Sequence, residues 1–61
     1  MSATQYEIVF KYIDTMSYDT FYSNAHKESS ALIEFWNHMF NRGQQDNVEF
    51  VRIDTYIHVE G

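Results

Sequence analysis

Residues 47–59, Asn-Val-Glu-Phe-Val-Arg-Ile-Asp-Thr-Tyr-Ile-His-Val, are β-branched or aromatic at nearly every second position and contain no Gly or Pro. Alternation with period two marks a strand with two distinct faces. One parity carries Val51, Ile53, Thr55, Ile57 and Val59, an apolar face suited to a core. The other carries Phe50, Arg52, Asp54, Tyr56 and His58, a set too aromatic for ordinary solvent surface. Residues 5–13 alternate as well, with Tyr6, Ile8, Phe10 and Tyr12 against Glu7, Val9, Lys11 and Ile13. Asp14-Thr15-Met16-Ser17 interrupts the pattern with polar residues that turn a chain without glycine. Over 18–25 alternation resumes, with Asp19, Phe21, Ser23 and Ala25 opposite Tyr18, Thr20, Tyr22 and Asn24. Two strands joined by so short a break predict an antiparallel hairpin.

The period then changes. Leu32, Phe35, Trp36, Met39 and Phe40 recur at the spacing of an amphipathic helix. Glu28 near its start and Arg42 near its end suit the helix dipole, and Gly43 is a natural stop. The helix is therefore expected over about 27–41, followed by a short loop into the last strand.

The chain is thus expected to be a single small α+β domain over residues 1–61. Its strands fall at about 5–13, 18–25 and 47–59, in the order β-β-α-β. One helix covers one face of a three-stranded sheet, and the third strand is placed beside the first. The predicted core combines Ile8, Phe10, Phe21, Ala25, Leu32, Phe35, Met39, Val51, Ile53 and Ile57, with Trp36 packed against the sheet. The opposite face draws on Val9, Ile13, Tyr18, Tyr22, Phe50, Tyr56 and His58.

Composition narrows the possibilities. Sixty-one residues lie near the lower limit for a self-sufficient core. With no cysteine, disulfides and cysteine-based zinc sites are excluded, which leaves a good core, self-association or a partner. Five Tyr, five Phe and one Trp supply the apolar area. No apolar run resembles a signal peptide or a membrane span, so a cytoplasmic location is expected. A net charge of −5 disfavours direct binding to nucleic acid, which relies on Lys and Arg at phosphates.

The sequence Tyr6-Glu7-Ile8-Val9-Phe10, then Ala25, then Lys27-Glu28-Ser29-Ser30-Ala31-Leu32 and Phe35, resembles short hairpin–helix–strand proteins of phage and plasmid genomes. The resemblance covers most of the chain. It departs in lacking a glycine in the first turn and in having a longer final strand. It implies a small binder or inhibitor of host proteins, and it carries over no site residues because the group shares no site.

Candidate chemistry is sparse. His38 lies one helical turn after Glu34, but His26 and His58 have no close ligand neighbour, so no metal and no cofactor is expected. Ser29-Ser30 suit a first helical turn, and Asp14 and Asp19 suit a hairpin turn. So small a unit leaves little room for a ligand pocket of about 300 Å³ or more, and the chain is read as no enzyme. Acid mimicry of nucleic acid needs carboxylates in a row, whereas the nine acids are scattered over every element.

The expected function is that of a non-enzymatic protein-binding accessory protein, a small phage-type inhibitor or modulator of a host protein. It would bind through the sheet face opposite the helix or through a strand edge. The residues expected to carry it are Phe50, Arg52, Asp54, Tyr56 and His58, with Tyr18 and Tyr22 alongside. A homodimer packing through the same face, and an acidic mimic, are the alternatives.

Overall fold

A computed structural model describes the backbone of residues 2–59 and the side chains of residues 5–55. Strand β1 (Ser2–Tyr12), strand β2 (Ser17–Ser23), helix α1 (Glu28–Asn41) and strand β3 (Val48–Val59) follow one another. The sheet is antiparallel throughout in the order β2-β1-β3. The α+β class, the β-β-α-β order and the place of the third strand beside the first are as the patterning predicts. Strand β1 starts three residues earlier than its alternation, and β2 stops two residues short of Ala25.

The hairpin turns through Ile13–Met16 without glycine, and Met16 takes the left-handed conformation at φ 59°. Neighbouring backbone holds this turn in place. The Ile13 N–H donates to the Asn47 carbonyl at 2.8 Å, and the Asp14 N–H to Asn47 Oδ1 at 3.0 Å. Asn47 is itself fixed to Gln44 through backbone and side chain. The loop after the helix thus clamps the start of the hairpin turn.

Helix α1 ends in a Schellman motif. The Gln44 N–H donates to the Met39 carbonyl at 2.8 Å and the Gly43 N–H to the Phe40 carbonyl at 3.0 Å. Gly43 sits at φ 69°, and a Cβ there would meet no atom within 4 Å. Strain alone therefore opposes a side chain. Gly43→Ala should cost about 1 kcal/mol in urea unfolding, and Gly43→Asn less, because asparagine tolerates this region better.

Ile8, Phe10, Ala31, Phe35, Met39 and Val48 form the buried core, with Tyr6, Tyr12, Phe21, Ala25, Leu32 and Ile53 packed around it. Phe35 is its centre: its ring lies 5.1 Å from Phe10 and 5.8 Å from Phe21. The helix packs on β1 and β2, with its small Ala31 fully buried against them. Ser23 is buried on the same face, and its Oγ accepts from the Ala25 N–H.

Two expectations about this core fail, for one reason each. Val51 is exposed (43 %) and Val48 takes the buried place. The register between β1 and β3 shifts here, so that Val9 faces Arg52 but Phe10 faces Phe50. This β-bulge inserts one extra residue and reverses the side-chain parity of everything before it. Trp36, expected to pack against the sheet, is 37 % exposed and stands at the edge of the core, and Phe40, on the same helical stripe, is 63 % exposed. The buried stripe is Ala31, Phe35 and Met39, so the helix is rotated away from the centre of its apolar arc. A helix seated on only two strands cannot bury an arc that wide. Ile57, the remaining predicted core residue, has its side chain outside the described ones.

Candidate functional site

Directly paired residues in an antiparallel sheet share a face. Opposite the helix the register therefore lines up Tyr22, Glu7 and Asp54, then Thr20, Val9 and Arg52, then Tyr18, Lys11 and Glu49. Four of the expected site residues, Arg52, Asp54, Tyr18 and Tyr22, do come together here. Tyr18 and Tyr22 are well exposed. The charges between them are largely engaged with each other: Lys11 bridges Glu49 at 3.1 Å, and Arg52 reaches Glu7 at 3.9 Å and pairs with Asp54. Exposed pairs of this kind contribute about 0–1 kcal/mol each, but they leave the face polar and tiled. Three described acids of this face thus have basic neighbours, unlike a row of free carboxylates imitating phosphates.

Phe50 is not on this face. The bulge places it opposite Phe10, on the helix side of the sheet, where it is 40 % exposed. Tyr56 and His58 have their side chains outside the described ones, although their backbone pairs with Gln5 and Ala3.

The helix side holds a different surface. His38 stacks on Phe21 of β2 with ring centroids 5.1 Å apart, and Phe35 reaches Phe21 on β2 and Phe10 on β1. Successive helical residues turn about 100°, so continuing around the axis from His38 past Phe35 leads to Leu32 and Trp36 on the β3 side. Phe40 and Ile33 follow toward the top of the helix, both more than three-fifths exposed. On this side β3 presents Phe50, which is exposed, and the half-buried Ile53, while α1 packs chiefly on β1 and β2. The result is an apolar trough walled by Leu32, Trp36 and Phe40 and floored by Phe50 and Ile53.

Its origin is dimensional. The molecule extends 40 × 19 × 15 Å, and the long axis matches twelve strand residues at about 3.4 Å each. The 14-residue helix is only about 21 Å long and one helix wide. It lies over β1 and β2, spanning nearly all of the seven-residue β2 but only a little over half of β1. Trp36 stays in place by packing edge-on against Phe35, with centroids 4.9 Å apart at 67°. The sequence signal for this trough was present as an apolar arc too broad for one seam, reaching from Ala31 round to Ile33.

A second hollow of about 320 Å³ opens between the hairpin turn and the helix end, lined by Tyr12, Asp14, Thr15, Arg42, Gln44 and Asn47. It is larger than the sequence led us to expect. Thr15 is hydrogen-bonded to Ser17, and Asn47 is engaged with Gln44 and the Asp14 N–H. Among the described residues no three His, Asp or Glu side chains gather as a metal site, and no helix is long and apolar enough to cross a membrane. Comparison with family models, with curated proteins and with solved structures returns no match, so the trough and the tiled face are interpreted from their own geometry.

Proposed function

We propose that this chain is a non-enzymatic protein-binding module that receives an apolar segment of another protein in the trough between α1 and β3. The observation that carries the reading is the exposure of Ile33, Trp36, Phe40 and Phe50 on one side of so small a molecule. Single exposed apolar residues are ordinary, but a contiguous set with an aromatic pair and a tryptophan is the composition of an interface centre. The wider role is that of an accessory protein that modulates the protein it binds, working in the cytoplasm. The polar tiling of the opposite sheet face supports placing the contact on the helix side, with Tyr18 and Tyr22, on β2 and the other face, outside it.

The test is affinity capture from a lysate of the source cell, with the wild-type chain and Trp36→Ser/Phe40→Ser immobilised side by side. A protein held by the wild type and by Tyr18→Ser/Tyr22→Ser, but released by the helix variant, is the expected result. A protein retained equally by the helix variant would move the contact off the trough.

A further inference from the structure

Strand β3 is the longest free edge of the molecule: twelve residues with β1 on one side and, among the described residues, no strand on the other. Helix α1 packs chiefly on the other two strands. Protected edges usually carry proline, lysine or an inward charge, because an open row of backbone N–H and C=O groups templates further pairing. Residues 48–59 contain neither proline nor lysine. The protective features among the described residues are the bulge at Val51 and the charges of Glu49, Arg52 and Asp54, and the last two can complement their own copies across an axis. From these observations we propose that β3 pairs antiparallel with β3 of a second copy of this chain, joining two sheets into one of six strands.

The register of that pairing follows from charge and parity. A two-fold axis perpendicular to the sheet keeps both helices on one side, and residues of like parity must then face each other. Centring the axis on Arg52 sets two guanidinium groups against each other, and centring it on Asp54 does the same with two carboxylates. Centring it on Ile53 sets Arg52 of each copy against Asp54 of the other, twice. Only this last choice is attractive. It also meets a need of the isolated chain. Glu7 and Asp54 are direct cross-strand neighbours of like charge, with Arg52 shared between them. The second copy brings another Arg52 beside Asp54.

The bulge is compatible with this register. Ile53 meets Ile53 on the helix side, and the extra residue at Val51 lets Phe50 face the second copy's Thr55 on that same side. The apolar floor therefore continues across the axis. Strands about 4.8 Å apart, with each helix lying over β1 and β2, set the two helix axes roughly 19 Å apart. Packed helices sit about 8–10 Å apart, so the joined trough stays open between them and admits one further helix. The pairing rests on the trough reading only in that it doubles the same surface, and each can fail without the other.

Arg52→Glu and Asp54→Lys test the pairing together. The wild type should sediment at twice the 7.3 kDa chain mass at micromolar concentration. Each variant alone places like charges across the axis and should sediment as a monomer with an intact near-ultraviolet spectrum from Trp36. Mixed in equal amounts, the two variants set the introduced glutamate of one against the introduced lysine of the other. The unchanged Asp54 of the first then faces the unchanged Arg52 of the second, and the mixture should regain the dimer mass. A monomeric wild type, single variants that remain dimers, or a mixture that stays monomeric would each overturn the pairing. A monomeric wild type that still captures a protein through Trp36 and Phe40 would sink the pairing and leave the trough standing.

Discussion

Phe35→Ala should leave no folded protein at 25 °C. Phe35 is fully buried and its ring touches Phe10, Phe21 and Trp36, so it joins both hairpin strands to the helix. Removing a buried phenylalanine costs about 3–5 kcal/mol in transfer and cavity terms. A core of this size rarely supplies more than about 3–5 kcal/mol in total. Among the described residues no metal cluster offsets the loss, and the sequence has no cysteine to form a disulfide. Loss of amide dispersion in a proton NMR spectrum is the readout, and Phe35→Leu, which keeps most of the volume, should stay folded. A dispersed spectrum for Phe35→Ala would mean that the core is held elsewhere.

The second large effect is on binding rather than folding. Trp36→Ser/Phe40→Ser removes two aromatic rings from the wall of the trough. Phe40 is mostly solvated and Trp36 stands at the edge of the core, so the double variant should lose no more than about 1–2 kcal/mol of stability. Buried at an interface, an aromatic anchor is worth about 2 kcal/mol or more, so affinity for the captured protein should fall at least about 30-fold. Titration calorimetry measures this against Tyr18→Ser/Tyr22→Ser, which should change affinity less than about threefold, because these side chains lie on the opposite face of the sheet. Equal losses from both pairs would mean that the partner wraps the sheet rather than filling the trough.

The fold was legible in particular residues, and so were the limits of that reading. Strand alternation in 5–13 and 18–25 is uninterrupted, so Ile8, Phe10 and Phe21 could be placed inward without ambiguity, and Gly43 marked the helix end. Period two is, however, blind to an inserted residue. The run 47–59 reads as one alternating strand, and a bulge between Phe50 and Arg52 moves Phe50 from the open face to the helix side and Val51 out of the core. Nothing local in Phe50-Val51-Arg52 signals this, because the bulge is fixed by pairing with Val9 and Phe10 far away in the chain.

The helix departs from expectation in a different way. Its apolar residues were all identified, but the sequence assigns them one seam, whereas the sheet offers only the width of β1 and β2. Ala31 and Phe35 take that place because a small residue permits close approach and a large one fills the gap between Phe10 and Phe21. Trp36 and Phe40 are what remains over, and the trough is that remainder. The tiled face is legible in hindsight from Glu7 and Lys11 on β1 and Glu49, Arg52 and Asp54 on β3, whose signs alternate along each strand.

Whether the partner meets the helix side over β3 is read most directly from amide shifts of the isotope-labelled chain with its captured protein. The largest changes are expected at Ile33, the Trp36 indole, Phe40, Phe50 and Ile53, with Thr20, Val9 and Lys11 nearly unmoved. Changes concentrated at Val9, Lys11, Tyr18 and Thr20 would contradict this and return the site to the opposite face of the sheet.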